Sequence, residues 1–410
     1  MAQTLSELLR PAAVDFDILY RRHRPVIEVV RNLIGVAPNS FPYMEMWPTS
    51  FRTFDLLLAN LLNLPFLLFA SRTKQASIGL VMYASSRAAG CPYCSAHCCS
   101  FALRRGAGLE KVRRATTPRD ASATYAAAEL IAIEVAQALG AVPGECTPAM
   151  RDDLGRHFSS ADVEWLVLAI SMMGFLNKFM DVMGMPLEET TYAEVDAVIG
   201  PSGWTPGKHR AARDPGRPTA PHEVRADGLG TKLALVPLLP SAIFRQQRWM
   251  SGTPTSWPML GDYLRQRTGH EFEVLSKLRH TRARRAIAAA VCDNSDAARS
   301  NIEPRTKHLA GLVYANAVQD EALVRAARAM AKKAGAGNAE LDGGHDGMDE
   351  RAKTILAFAK AAAPSPAQIT PELIARSADN LSPVEIIELI TWLSVMQLLH
   401  RLEAFYAFRA

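Results

Sequence analysis

Apolar residues recur along most of this chain every three to four positions, the spacing that places them on one face of an α-helix. The clearest case is 162–183, where one face carries Val163, Leu166, Val167, Ile170, Met173 and Met180. Strict alternation of apolar and polar residues, the pattern of a half-buried strand, is nearly absent. The pattern therefore predicts an all-α protein.

Capping residues predict where several of these helices begin. A threonine followed by a proline stands at 147–148 and again at 370–371. The threonine hydroxyl can cap a helix, and proline fits the first helical position. Ser382 and Glu385 have the spacing of a capping box, in which each side chain bonds the other residue's backbone N–H. These signals predict three helix starts.

The helix starts also reveal a repeat. Residues 147–183 and 370–406 align without a gap, and their apolar positions stay in register. Upstream, RTKQASIGLVMYAS at 72–85 resembles RTKHLAGLVYANA at 305–317. We therefore interpret the chain as two tandem copies of one helical domain.

The segment between the two copies has a different composition. Residues 186–240 include GPSGWTPGKHRAARDPGRPTAPH, which is dense in glycine, proline and basic residues and predicts an extended connector. The predicted organisation is an N-terminal domain at 1–185, the connector at 186–240 and a C-terminal domain at 241–410.

Composition and charge narrow the class of protein. The 410 residues are 49% hydrophobic and 21% charged, which is normal for a globular protein with a large core. The formal charge of +5 is small for this length and the basic residues form short clusters, so we expect no nucleic-acid partner. The start of the chain lacks the pattern of a secretory signal, and the apolar run at 56–70 is shorter than the ~20 residues of a membrane span. We expect a cytoplasmic protein with no membrane partner.

Candidate chemistry is concentrated in one stretch, GCPYCSAHCCSFALRRG at 90–106. Four of the six cysteines and one histidine fall within it. A helix that starts at Cys91 would place Cys94 one turn further on, within reach of a disulfide. His97 and Cys98 would share the same face.

Such a cluster fits three kinds of site. A thiol at a helix N-terminus feels the positive end of the helix dipole, which lowers its pKa, and a nearby imidazole can relay the proton. A second thiol can then resolve the oxidised form. The four side chains are also of types that bind zinc, and buried cysteine serves as plain core packing, which is our interpretation of Cys99, Cys146 and Cys292. The pattern favours a redox dithiol, with zinc binding and core packing as the alternatives.

The segment SSRAAGCPYCSAHCCSFALRRGAG resembles the signature of the alkylhydroperoxidase D-like (AhpD-like), or carboxymuconolactone decarboxylase-like, superfamily. In that superfamily a Cys-x-x-Cys pair opens a core helix and a histidine follows within one turn. The resemblance covers about 70–183 and fades into a second copy at about 300–406. It implies an all-helical AhpD-like fold, obligate oligomers and thiol-dependent reduction of peroxides.

The resemblance also implies roles for individual residues. Cys94 would attack the peroxide, Cys91 would resolve the oxidised thiol, and His97 would help with the proton. The family's peroxidases carry a glutamate twelve residues before the first cysteine, where this chain has Gly79. They carry a histidine four residues after the second cysteine, where this chain has Cys98. Cys98 is therefore a candidate third redox partner.

The C-terminal copy lacks the dithiol. It has no cysteine after Cys292. When Leu80 is set against Leu309 without gaps, Asp320 and Leu323 stand opposite the two cysteines of the Cys-x-x-Cys pair. We therefore expect this copy to have an architectural role.

The resulting functional hypothesis is an antioxidant enzyme, an oxidoreductase that reduces a small-molecule hydroperoxide through its dithiol. Electrons would come from a dithiol protein or a lipoyl-type donor, no cofactor is expected, and the chain would form a homodimer or homotrimer. Two alternatives stay open: a lyase or isomerase of the carboxymuconolactone decarboxylase type, and a redox sensor or assembly protein without enzymatic activity.

Overall fold

A computed structural model describes residues 3–210, 224, 226–228, 230, 233–345 and 347–406 of the chain. These residues form α-helices joined by turns and short 3₁₀ segments, and none of them lies in a β-strand. The prediction of an all-α protein is confirmed.

The helices fall into two sets along the chain. The first set is α1 (Leu5–Leu9), α2 (Phe16–Ile34), α3 (Phe41–Met44), α4 (Pro48–Leu61), α5 (Phe66–Phe69), α6 (Arg72–Ala88), α7 (Pro92–Arg104), α8 (Leu109–Arg114), α9 (Ala127–Gly140), α10 (Pro148–His157), α11 (Ser160–Met183) and α12 (Glu189–Ile199). The second set is α13 (Leu239–Trp249), α14 (Trp257–Thr268), α15 (Thr281–Ser295), α16 (Pro304–Ala317), α17 (Glu321–Lys333), α18 (Asn338–Leu341), α19 (Glu350–Ala362), α20 (Pro371–Asn380) and α21 (Pro383–Tyr406). Both sets contribute to one continuous hydrophobic core.

The three helix starts predicted from capping residues are confirmed. Thr147 and Thr370 each accept a hydrogen bond from the backbone N–H three residues further on, at 3.3 Å. The proline after each threonine is the first residue of α10 or α20. Ser382 accepts from the backbone N–H of Glu385 at 3.4 Å, and the Glu385 carboxylate accepts from the N–H of Ser382 at 2.8 Å. Local side-chain hydrogen bonds therefore define these starts.

The long helices α11 and α21 pack against each other and join the two halves of the molecule. The approach is close at Gly174 of α11, where a Cβ would lie 3.0 Å from the backbone oxygen of Gln397 in α21. Both helices are buried along most of their length. The start of α7, which carries the candidate dithiol, packs against α11 and therefore lies close to this junction.

The two halves have similar helix orders. Helices α6, α7, α9, α10 and α11 are followed in the second half by α16, α17, α19, α20 and α21. Cys91 and Asp320 are the N-caps of α7 and α17. The residue before each cap has a positive φ, 65° at Gly90 and 58° at Gln319. This is the register in which Asp320 stands opposite Cys91, and the two-copy organisation itself stays a prediction.

Part of the predicted connector is folded. Helix α12 lies inside it, packs against α7 and has Val195 and Ile199 fully buried. The indole N–H of Trp204 then donates to the backbone oxygen of Pro92 at 3.1 Å. The prediction of an extended connector is wrong for this part, because its apolar residues have the spacing of a buried helix face. Residues 211–223 lie outside the described residues.

Two stretches, Pro48–Phe69 and Ser160–Met183, are long and apolar enough to cross a membrane. In the most apolar 18 residues of each stretch, 72% and 94% of the residues, respectively, are buried inside the protein. Helices that are buried in this way are typical of the core of a globular protein, so they give no clear sign of a membrane protein. The cytoplasmic location stays a prediction.

Candidate active site

The four candidate residues Cys91, Cys94, His97 and Cys98 lie together at the start of α7. Cys91 is the N-cap, and its sulfur accepts a hydrogen bond from the backbone N–H of Cys94 at 3.3 Å. Pro92 occupies the first helical position, so the helix begins one residue later than the sequence indicates. All four side chains are buried. The turn before α7 therefore brings both thiols and the imidazole into one enclosed place.

Burial decides the protonation state of the thiols. It raises the pKa of Cys94 well above the ordinary value, and contact with the Cys91 thiol raises it further. It also raises the pKa of Cys98 to about 12, although the Ser86 hydroxyl opposes the shift. The lowered pKa expected from the helix dipole is therefore not found for Cys94, because removing its thiolate from water outweighs the dipole. Cys94 and Cys98 are neutral thiols at pH 7, and all six cysteines are free.

A carboxylate that the sequence did not reveal lies beside His97. Oε2 of Glu188, at the start of α12, is 2.8 Å from Nε2 of His97. The other carboxylate oxygen accepts from the Tyr93 hydroxyl at 2.9 Å and from the Asn39 backbone N–H at 2.6 Å. Burial alone would raise the pKa of Glu188, but His97 and the Asn39 N–H outweigh it, so this pKa lies below its ordinary value. Glu188 is therefore an ionised partner for the imidazole.

The position where the resemblance places a glutamate has no room for a side chain. A Cβ at Gly79 would lie 2.6 Å from the Cα of Ala102, because α6 and α7 cross closely there. The carboxylate beside the imidazole comes instead from Glu188, in the segment interpreted as a connector. Gly79 therefore marks a close contact between two helices, and Glu188 supplies the carboxylate beside His97 that Gly79 cannot.

Cys94 and His97 line an apolar cavity of about 80 Å³, which we call the inner cavity. Its walls come mainly from α2, α4, α7 and α11 and include Val30, Leu33, Phe41, Leu58, Met82 and Met173. Nδ1 of His97 is buried and has no hydrogen-bond partner among the described residues. A small molecule in the inner cavity would therefore lie next to a thiol and to an imidazole with one ring nitrogen free.

The other thiols differ in their surroundings. Cys98 also lines the inner cavity, with its sulfur 3.7 Å from the sulfur of Met173. Cys99, Cys146 and Cys292 are buried in the core, the location that plain packing predicts. Burial raises the pKa of Cys146 to about 11 and that of Cys292 to about 12. These three thiols lie away from the cavity wall.

The zinc alternative finds no suitable geometry in the described part of the chain. No group of three or more His, Cys, Asp or Glu side chains there is arranged to hold a metal ion. The four candidate ligands follow one another along a single helix, which does not surround a tetrahedral ion.

The second half of the molecule covers the start of α7. Pro366 packs against Gly90, where a Cβ would lie 2.8 Å from the proline ring. The buried ammonium group of Lys178 donates to the backbone oxygens of Ala362 and Pro364, at 2.5 and 2.6 Å. Burial lowers the pKa of Lys178 to about 7. The end of α19 and the loop after it therefore form one side of the thiol environment.

The corresponding N-cap in the second half carries a carboxylate. Oδ1 of Asp320 accepts from the backbone N–H of Leu323 at 3.0 Å, and Oδ2 lies 2.8 Å from Nδ1 of His400. An aspartate–histidine pair of this kind does no thiol chemistry. The architectural role expected for this half stays a prediction.

Comparisons with known proteins add little. No family model matches the chain, and no curated protein matches it. Among solved structures, the apo crystal structure of the debrominase Bmp8 is similar to 44% of this chain and 93% of that one, with 24% identity and a TM-score of 0.40. A TM-score this low supports no inference of function.

Proposed function

We propose that this protein is an AhpD-like thiol peroxidase that reduces hydroperoxides through Cys94 and Cys91. The observation that carries the proposal is the position of Cys94, which lines an apolar cavity together with His97. The imidazole of His97 is in turn 2.8 Å from the Glu188 carboxylate. A hydroperoxide in the inner cavity would meet both a nucleophile and a group that moves protons.

The proposed reaction balances with two thiols and one peroxide. His97 takes the proton of Cys94, and the thiolate attacks the outer peroxide oxygen. The O–O bond breaks, the alcohol leaves with the proton from His97, and Cys94 becomes a sulfenic acid. The Cys91 thiol then attacks the Cys94 sulfur, which releases water and forms a disulfide. A dithiol protein or a lipoyl-type donor restores both thiols by exchange.

Glu188 serves this reaction as a positioning residue. Because burial keeps Cys94 neutral at rest, its proton must be removed before the sulfur can attack. An ionised carboxylate beside the imidazole stabilises the imidazolium that results. The hydrogen bonds from Tyr93 and Asn39 fix that carboxylate in place.

The test is a thiol count by alkylation in denaturant and mass spectrometry, before and after treatment with micromolar ethyl hydroperoxide, which is small enough for the inner cavity. We expect Cys91 and Cys94 to form a disulfide within seconds. In Cys91→Ser the reaction should stop at the sulfenic acid of Cys94, and in Cys94→Ser the peroxide should leave Cys91 reduced. The matched control is Cys99→Ser, a buried thiol off the cavity wall, which should oxidise like the wild type.

Two outcomes would overturn the peroxidase proposal. Peroxide turnover that survives Cys94→Ser would mean that another group reacts. A Cys91–Cys94 pair that stays reduced under millimolar peroxide, in protein that is folded by circular dichroism, would leave the site with a role in packing or assembly.

A further inference from the structure

A second cavity of about 40 Å³, which we call the outer cavity, adjoins the inner cavity. Val30 of α2 and Leu58 of α4 line both cavities. Their side chains are almost fully buried, with 4% and 8% of the residue surface exposed. Two aliphatic side chains therefore form the shared wall between the space around Cys94 and the outer cavity.

The outer cavity lies under α13, close to an apolar part of the surface. Its walls include Pro65 and, from α13, Ala242 and Ile243. Ile243 is 40% exposed, and the adjacent residues Phe66 and Phe244 are 65% and 67% exposed. Ile243 both lines the outer cavity and is exposed, so the cavity approaches the surface at this apolar residue. The outer cavity is thus bordered by an apolar surface on one side and by Val30 and Leu58 on the other.

We infer that uncharged, apolar molecules reach Cys94 along this path, from the surface at α13 into the outer cavity and then between Val30 and Leu58. Rotation of these side chains to other staggered rotamers joins the two cavities without any movement of a helix. The inference rests on the proposed function for what then happens at the thiol. The path itself delivers apolar molecules whatever reaction Cys94 performs.

Buried polar contacts keep α13 in place over the path. The side chain of Gln246 in α13 donates to the Asp55 carboxylate at 2.7 Å and accepts from the Asn60 amide at 2.9 Å. All three side chains are buried. The outer cavity is also lined by the side chains of Asp55 and Arg282, so charge is excluded at the passage between Val30 and Leu58, where a charged molecule would have to lose its water. The path therefore selects for substrates without charge.

The test is modification of Cys94 by methyl methanethiosulfonate, an uncharged reagent. A thiolate displaces its sulfinate group, which leaves a methyl disulfide on the cysteine and releases methanesulfinate. The comparison reagent is the 2-sulfonatoethyl analogue, which carries a negative charge. Mass spectrometry with fragment sequencing measures the labelled fraction of Cys94 over time, counted as the methyl disulfide plus the Cys91–Cys94 disulfide that forms when Cys91 displaces methanethiol from it.

Two matched variants of α13 separate the path from other effects. Ala242→Phe fills the outer cavity, whereas Gln247→Phe adds the same ring on the exposed face of the helix. We expect Ala242→Phe to slow modification about tenfold, because the added ring fills the space through which the reagent must pass. Gln247→Phe should match the wild type, and Val30→Ala, which thins the shared wall, should be modified faster. The charged reagent should be slower than the uncharged one on the wild type.

Equal rates for Ala242→Phe and the wild type would overturn the path. The path would also be wrong if Pro38→Phe slows the modification of Cys94 while Ala242→Phe does not, since Pro38 lines the inner cavity but not the outer one. If Ala242→Phe does not fold, Val30→Ala decides, and a rate equal to the wild type then counts against the path. Because the readout uses a reagent other than peroxide, the path can fail while peroxide still oxidises Cys94, and the peroxidase proposal can fail while labelling still depends on Ala242.

Discussion

A buried imidazole can carry a proton only where its charged form has a partner. His97 has such a partner in Glu188, which Tyr93 and Asn39 hold in place. Because the pKa of Glu188 lies below its ordinary value, the carboxylate is ionised at neutral pH. It therefore favours the imidazolium that forms when Cys94 gives up its proton. A thiol that is neutral at rest is in this way compatible with nucleophilic chemistry.

Glu188→Gln keeps an oxygen that accepts from Tyr93 and removes the charge beside His97. We expect peroxide-dependent oxidation of Cys94 to slow by about a hundredfold, the lower end of what a positioned acid or base contributes. Rapid-quench alkylation at several pH values measures the rate. The pH dependence of that rate should change as well, because the imidazolium loses its partner.

The control for this substitution is Glu194→Gln. Glu194 lies within α12, and its carboxylate is 2.7 Å from the Arg104 guanidinium instead of beside His97. In Glu194→Gln the rate of Cys94 oxidation should stay within about a factor of two of the wild type, since Glu194 makes no contact with the reacting atoms. Equal losses in both variants would show that the effect comes from α12 packing.

Asp55 predicts a pH dependence of stability. Burial raises its pKa from 3.8 to about 7, against the effect of Arg245. The folded protein keeps the proton up to a pH near 7 while the unfolded chain releases it near 4, so stability falls as the pH rises between these values. Asp55→Asn still accepts from Gln246. The free energy of unfolding of Asp55→Asn minus that of the wild type should increase by about 2 kcal/mol from pH 5 to pH 7. Urea unfolding at several pH values measures both free energies, and a difference that stays constant with pH would contradict this.

At the scale of single residues, the sequence predicts which side chains come together within one helix turn. Cys91, Cys94 and His97 were found because their spacing alone places them together at a helix start. Glu188 was missed, because its contact with His97 depends on how α12 packs on α7, which no local spacing encodes. The pKa of Cys94 was misjudged for the same reason, since the burial that raises it comes from segments far away in the chain.

Among the helices, the crossing of α6 and α7 is the contact that aligns the dithiol helix. It depends on Gly79, because a Cβ there would meet the backbone of Ala102. Gly79→Ala should therefore lower the free energy of unfolding by about 1–3 kcal/mol, the usual effect of overpacking. Urea unfolding measures the change.

The matched control is Gly155→Ala in α10. A Cβ at Gly155 would have no neighbour within 4 Å, so only the backbone preference acts. This variant should gain about 0.5–1 kcal/mol, because alanine favours a helix interior more than glycine does. A Gly79→Ala protein that gained as much as this control would show that α6 and α7 separate without loss.

Helix boundaries were predictable wherever a local hydrogen bond defines them. The caps at Thr147, Thr370 and Ser382 each lie within three residues of the backbone group they satisfy. Helix α12 was not predicted, because glycine and proline dominate the composition of the segment around it. The amphipathic spacing of Val195 and Ile199 was the available signal.

On the scale of the whole molecule, buried basic side chains connect the two halves. Arg401 of α21 is fully buried and donates to the backbone oxygen of Ile170 in α11 at 2.8 Å. Lys178 of α11 donates to the backbone oxygens at the end of α19. Separation of the halves would leave these groups without partners, which is costly for buried polar groups. We therefore expect the described halves to unfold together.

Gly174→Val tests this coupling at the contact of α11 and α21. The added side chain would meet Arg401 and the backbone of Gln397, and it should lower the free energy of unfolding by about 2 kcal/mol. Amide hydrogen exchange should report the same loss of protection in the core helices α7 and α17. Loss in only one of them would mean that the halves open independently.

The contact between Gly90 and Pro366 has a consequence for genetics. In a selection for clones that have lost thiol reactivity, mutations should map to the loop after α19 as well as to the cysteines, although this loop contains no reactive group. Compensating mutations should then appear in pairs, with one member near residue 90 and the other near residue 366. Inactivating mutations would thus also be found in the codons around residue 366, although that part of the chain contains no cysteine.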